Sequence, residues 1–477
     1  MHTTVAIIGS GFSGLAMAAR LDEDGVGCRV LERADALGGT WRDNIYPGCA
    51  CDVPSHLYSL SFALNPDWSS TYATQPEIRA YMEEFADSRD LRRMLVFGAD
   101  VRQATWSQDH WTLTCADGRV FTAQFVVNAL GGLRDPLLPS VPNAFEGPQM
   151  HSARWDPSVD LTGKRVVVVG TGASAIQVVP AIADRVAELH VVQRSPPWIV
   201  PRDDRPYSPF ERWAFRTIPG LCVLWRLRNW LRHEVRYPLF FGGARLRRLA
   251  TRALARRIRR LVKDPHLRRQ VTPGYAPGCK RILVADGWYE ALQRPNVRLH
   301  TGSVQSLSPS HVELEDVSLK ADVVLWCTGF RIDDPLGQME VTGRDGVDLR
   351  TWWGARPRAY LGMTVPHFPN AFIMLGPNTA LGHSSVLLMV ESQVRYVRQA
   401  VRVALEQGRP LEVREESLTG FLDEMDGRHR DQVWLSGCRS WYLNEHGENY
   451  TIWPGTTLGY MLRTRRFDPS HYLEAHG

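Results

Sequence analysis

The run Val5-Ala6-Ile7-Ile8-Gly9-Ser10-Gly11-Phe12-Ser13-Gly14 decides the fold class, and Arg165-Val166-Val167-Val168-Val169-Gly170-Thr171-Gly172-Ala173-Ser174-Ala175 repeats it. In each, an apolar strand runs into a glycine turn and then into a helix of small and apolar residues. A second strand follows each helix, at 28–32 and at 189–193. Gly9 stands 23 positions before Glu32, and Gly170 stands 23 before Gln193, so the two units superpose without a gap. The pattern predicts an α/β chain with two Rossmann-like dinucleotide-binding domains.

The missing side chains of Gly9, Gly11 and Gly14 let the backbone approach a pyrophosphate, whose charge suits a helix N-terminus. Glu32, at the end of the second strand, is positioned to accept hydrogen bonds from a ribose. The first unit therefore reads as a site for an unphosphorylated ribose, as in FAD. In the second unit Gly170, Gly172 and Ser174 form the turn, and Gln193 replaces the acid ahead of Arg194 and Ser195. Loss of the carboxylate removes repulsion against a 2′-phosphate, and an arginine binds that group with two parallel hydrogen bonds. The second unit reads as a site for NADPH rather than NADH.

Outward from these units, the 477 residues are 44% hydrophobic and 22% charged, as in ordinary soluble proteins. A net charge of +5 suits a protein that binds anionic cofactors rather than one that coats nucleic acid. The eight cysteines are scattered, which predicts no disulfide framework and a reducing compartment. Cys49 and Cys51 have neither a redox nor a zinc-ligand spacing, and the histidines do not cluster, so no metal site is expected. The first strand begins too early for a signal peptide, and no apolar run reaches the ~20 residues of a membrane span. A soluble, cytoplasmic protein is expected.

The expected division is 1–144 for the first part of the FAD-binding domain and 145–200 for the first part of the NADPH-binding domain. Residues 201–271 form a helical insertion, 272–324 the second part of the NADPH-binding domain, and 325–477 the second part of the FAD-binding domain. Small residues at Thr328 and Gly329, where the chain leaves a strand, let it pass close to a bound cofactor. A strand at 372–375 followed by a helix starting near Ser384 would aim the helix's positive end at a flavin ring. In the insertion, Leu246, Leu249, Leu254 and Ile258 follow a helical period with arginines between them, as do Leu221, Leu224 and Leu231. Solvated charged faces are the reading adopted, and peripheral docking on an acidic membrane is the alternative.

Between the two units, Phe145, Gly147, His151, Trp155 and Asp156 fit the pattern FxGxxxHxxxW followed by Pro or Asp. Gly39-Thr40-Trp41, Tyr46-Pro47-Gly48 and Asp52 fit a second pattern, GxWx4[FY]PGx3D, and Lys280-Arg281 precedes Trp288-Tyr289-Glu290. In these segments and their order the chain resembles the Baeyer–Villiger monooxygenases. The resemblance implies an enzyme that uses FAD, NADPH and O2 to insert one oxygen atom beside a ketone carbonyl, through a C4a-peroxyflavin, giving an ester or lactone. It implies that Arg281 stabilises negative charge in that reaction, that Asp52 holds the guanidinium, and that Lys280 helps bind the NADPH phosphate. Trp41 and Tyr46 would wall the cofactors, while His151 and Trp155 would serve as structural or hinge residues. The segment 376–383 departs from the cyclohexanone-type members.

Three other readings compete. A flavin-containing monooxygenase acting on nitrogen or sulfur usually carries Phe or Tyr where Trp155 stands. A disulfide or quinone reductase would need CxxC or CxxxxC beside the flavin. A redox-sensing or partner-binding protein could keep the nucleotide sites without turnover. The expected partners are a small ketone and O2, with no nucleic acid.

Overall fold

Each glycine turn leaves the end of a parallel strand in its own sheet. The computed structural model describes residues 1–238, 243–332, 334–430, 432–435 and 442–473. In the first sheet, of eight strands, β1 (His2–Ile8) lies between β2 (Cys28–Leu31) and β3 (Val120–Asn128), parallel to both. Strands Val101–Ser107 and His110–Cys115 extend it antiparallel beyond β3. The second sheet is wholly parallel, in the order β7 (Val297–Thr301), β6 (Glu188–Gln193), β5 (Arg165–Val169), β8 (Val323–Trp326), β4 (Gln149–His151). Its central strand reads as an unbroken valine run because both faces are covered, and Val166, Val167 and Val168 are fully buried.

The chain crosses to the second sheet after β3 and returns after β8. Strand β9 (Ala371–Ile373) then pairs with β3, and Glu340–Thr342 pairs with Val101–Ser107. Strand β8 lies entirely in the second sheet, so a division at 324/325 falls inside it. Helix α1 (Phe12–Glu23) follows the first turn, and α2 (Ala175–Ile182) follows the second. Helix α6 (Val386–Gln407) packs against α1, and the Ser385 hydroxyl accepts from the Leu387 N–H at its start.

The insertion supplies α3 (Pro209–Thr217), α4 (Leu221–Glu234) and α5 (Ala244–Leu261). Helix α4 departs from the expectation of a solvated charged face: Arg226 is buried, whereas Leu224 and Leu231 are exposed. The cysteine reading also needs correcting at one position. Cys279 is disulfide-bonded, six other described cysteines are free, and Cys438 lies outside the described residues. Among the described residues, no helix is long and apolar enough to cross a membrane.

The glycines of each turn divide into two kinds. A β-carbon on Gly14 would stand 1.9 Å from the Gly9 carbonyl oxygen, and one on Gly170, at φ +112°, would stand 2.3 Å from that of Cys327. These glycines are required by the protein's own backbone. A β-carbon on Gly11 or Gly172 would meet nothing within 4 Å, so the fold makes no use of their bareness. Gly14→Ala should therefore lower stability by about 3 kcal/mol, read as a fall in apparent melting temperature. Gly11→Ala should melt like the parent apoprotein but retain less flavin. A parental melting temperature for Gly14→Ala would contradict this division.

Candidate active site

The first nucleotide edge is built around Gly11. The Gly38 N–H donates to the Ser10 carbonyl at 3.1 Å, and a β-carbon on Gly39 would stand 3.3 Å from the Gly11 Cα. Gly39-Thr40-Trp41 is thus laid directly on the glycine turn. Trp41 is buried, and its Nε1–H donates to the Tyr58 hydroxyl at 3.0 Å. Glu32 is also buried. Its carboxylate accepts from the Ser10 N–H at 3.0 Å, the Ser10 hydroxyl at 2.7 Å, the Ala34 N–H at 3.0 Å and Arg42 Nη1 at 2.9 Å. Burial pushes this carboxyl up, but the donors on Ser10 and Ala34 and the Arg42 charge together hold it below the usual carboxylate range.

The segment that follows reaches across to the second unit. The Tyr46 hydroxyl donates to Gln177 Oε1 at 3.0 Å, and Gln177 Nε2 donates to the Ala50 carbonyl at 2.9 Å. A β-carbon on Gly48 would stand 2.7 Å from the Gln177 carbonyl oxygen. Tyr46 and Gly48 of the fingerprint are therefore the first unit's grip on α2. Two residues beyond Ala50, Asp52 Oδ2 accepts both Nε (3.0 Å) and Nη2 (2.6 Å) of Arg281. The two side chains are 23% and 30% exposed, so the pair is sheltered yet open on one side. Burial pushes the Asp52 carboxyl up, but the charge and hydrogen bonds of Arg281, with help from Arg202, hold it below the usual range. The Asp52 charge in turn raises the Arg281 guanidinium above its ordinary value.

The second nucleotide edge gathers Arg194, Ser195 and Lys280. Lys280 Nζ donates to the Ser195 hydroxyl at 2.8 Å, and Arg194 is exposed. Burial, and then the Arg194 charge, pull Lys280 below the usual lysine range, as expected of a cation waiting beside another cation. Gln193, where the first unit has Glu32, donates from Nε2 to the Gln270 carbonyl at 2.9 Å and to the Thr301 hydroxyl at 3.3 Å. Its carboxamide is committed to the protein. The Gly170–Gly172 turn passes Ser174 at the start of α2, and the Thr171 hydroxyl donates to the Ser195 carbonyl at 3.3 Å.

Thr328 and Gly329 hold the linker between the units: the Thr328 hydroxyl donates to the Leu137 carbonyl, and the Leu137 N–H donates to that of Gly329 at 2.9 Å. His151 is buried, with Nδ1 accepting from the Ala153 N–H at 3.1 Å and its ring edge-on to Phe330 at 5.5 Å. Burial pulls its pKa down to about 4, so it is neutral near pH 7. Trp155 packs on the main core. Neither bonds to the Asp52–Arg281 pair. The thiols of Cys49, pushed up to about 11, and Cys51, pushed higher still by burial, stay protonated.

Sequence reasoning missed Gln177, Arg42 and Arg202. Gln177 left a signal, as the one amide in the otherwise apolar helix Ala-Ile-Gln-Val-Val-Pro-Ala-Ile. A buried amide requires partners.

Because the Asp52 carboxyl is held low, the stability it contributes is complete above the ordinary aspartate range and is lost only as pH falls through the folded value. The melting-temperature gap between the parent and Asp52→Asn should stay constant from about pH 8 to 5 and shrink only below about pH 4. A gap that closes near neutrality would show that Asp52 is not held in this way.

Comparison with known proteins agrees with the fold and identifies the family. A model of the NAD(P)-binding Rossmann-like domain matches residues 7–85, and one of the L-lysine 6-monooxygenase/L-ornithine 5-monooxygenase family matches 68–212. A Baeyer–Villiger monooxygenase of Pseudomonas aeruginosa is 42% identical over 99% of this chain and 91% of its own length. Among solved structures, an oxidised steroid monooxygenase bound to NADP matches with a TM-score of 0.87 at 30% identity, over 98% of this chain and 97% of its own. OTEMO in complex with FAD and NADP matches with a TM-score of 0.87 at 25% identity, over 97% of both chains. At 42% identity over nearly its whole length to such an enzyme, the chain belongs to the Baeyer–Villiger monooxygenases.

Proposed function

We propose that this protein uses FAD and NADPH to insert one atom of O2 beside the carbonyl of a ketone, giving an ester or lactone. The observation that carries the reading is the Asp52–Arg281 pair, because it joins the segment laid on the first glycine turn to the residue beside Lys280. The first sheet is the FAD-binding part and the second the NADPH-binding part. The chain fits both cofactors: each turn has one glycine, Gly11 or Gly172, whose open space a side chain would fill. The cluster of Lys280, Ser195 and Arg194 suits a 2′-phosphate. Six of the seven described cysteines are free, and on that majority the cytoplasm is the compartment proposed.

Bound FAD, once reduced by NADPH, supplies the activation of O2. The protein's own part is to hold charge and geometry. Arg281 is permanently cationic, so it stabilises negative charge developing on the carbonyl oxygen without giving up a proton. Asp52 fixes the guanidinium from one side and limits its rotation. A preorganised contact of this kind is worth about 3–4 kcal/mol in the barrier. Lys280, Ser195 and Arg194 would grip the nicotinamide cofactor at the far end of the second sheet.

The match to the lysine and ornithine monooxygenase model favours oxidation at nitrogen as a second reading, but it ends at residue 212, before Arg281. Electrophilic oxygen transfer to nitrogen or sulfur needs no cation beside a carbonyl. A panel of ketones and sulfides scored for ester and sulfoxide separates the two, and sulfoxide without any ester would overturn the proposal. Arg281→Ala should keep flavin reduction by NADPH and lose at least about 100-fold in ester formation. Lys280→Ala should raise the KM for NADPH by about tenfold and leave that for NADH unchanged.

A further inference from the structure

Helix α4 turns three polar residues fully inward, beside Trp225 and Trp230, which pack on the main core. Its buried residues are Arg226, Asn229 and His233. Arg226 Nη1 donates to the carbonyls of Leu57, at 3.0 Å, and Ser59, and Nη2 pairs with Glu391 at 3.0 Å. The His233 ring bonds the His383 carbonyl through Nδ1 at 3.0 Å. Directional polar bonds therefore fix the rotation of the helix, and they hold its leucines outward. Val223, Leu224, Leu227 and Leu231 are 57, 60, 45 and 50% exposed. Residues 224, 227 and 231 follow the spacing of a single helical stripe.

The helix it packs against, α3, also turns apolar side chains outward. Phe210 and Trp213 on α3 are 71% and 54% exposed, and their rings stack with centroids 5.6 Å apart. Ten of the 21 large hydrophobic residues exposed among those described fall between positions 210 and 249. Scattered apolar residues need no partner, but a concentration of them does.

The charge is segregated in the same stretch of the chain. Residues 205–263 hold fifteen arginines and one lysine against two glutamates, while the whole chain carries only +5. The rest of the protein is therefore net acidic. Helix α5 alone carries eight arginines and no acid, with Leu246 and Leu249 exposed between them.

We propose that α3, α4 and α5 form a docking face for an anionic lipid bilayer. The exposed side chains of α3 and α4 enter the headgroup region, and the exposed arginines of α4 and α5, such as Arg228, Arg232, Arg248 and Arg252, engage lipid phosphates. A second copy of the chain fits this face poorly, since two-fold pairing would bring two such positive regions together. A nucleic acid would satisfy the arginines but leave the leucines and the stacked aromatic pair in water. The contact is peripheral, because no described helix is long and apolar enough to cross a membrane.

The test is flotation of the flavin-loaded, full-length protein with phosphatidylcholine vesicles prepared with or without phosphatidylglycerol. The protein should float with the anionic vesicles and stay behind with the neutral ones. A Leu224→Glu/Leu227→Glu variant should bind anionic vesicles at least about tenfold more weakly, with unchanged melting temperature and unchanged turnover of a water-soluble ketone. Failure to float with anionic vesicles would overturn the proposal, as would parental binding by the double variant. Sedimentation showing a parental dimer that the double variant dissolves would assign the face to a second copy instead.

Discussion

The ion pair of Asp52 and Arg281 joins residues 229 positions apart and drawn from opposite units of the chain. It can form only if the two sheets approach at one separation, because a carboxylate and a guanidinium tolerate little change in distance or direction. The neighbouring bonds of Gln177 to Tyr46 and Ala50 impose the same approach by other means. Neutral hydrogen bonds and tight backbone packing at Gly48 set the gap, and the charges then fall into register. Arg281 is positioned by the seam between the units as much as by its own loop.

Around this seam the two nucleotide edges solve one problem with different chemistry. The first places a buried acid, Glu32, under four donors from the protein. The second commits its amide nitrogen, on Gln193, to Gln270 and Thr301, with Lys280 bonded to Ser195 beside it. The first edge is acidic and filled by the protein's own donors, and the second is basic and carries its charge on Lys280 and Arg194. The two edges thus differ in charge although strand, turn and helix are alike.

The two parallel units were legible because strand, turn and helix are adjacent in sequence and their signals are local. Arg281 and Asp52 were legible only through family patterns, since nothing in the spacing of residues 52 and 281 says that they touch. Gln177 was passed over because a lone amide in an apolar helix does not name its partner. Helix α4 shows a further limit. Periodicity tells which residues share a face but not which face is turned inward, and there Arg226, Asn229 and His233 take the position that leucines usually hold. The bond at Cys279 was hidden for a similar reason, because whether a cysteine is paired is a property of the fold and not of its place in the sequence.

Gln177 carries an implication for recombination. It lies just beyond the second glycine turn, yet what it recognises is the stretch from Tyr46 to Ala50 in the other half of the molecule. A chimera that takes its NADPH half from one relative and its flavin half from another inherits this handshake only if both donors shaped it alike. Crossover points that preserve the individual sheets do not protect it, so the natural unit of exchange in this enzyme is the matched pair of halves.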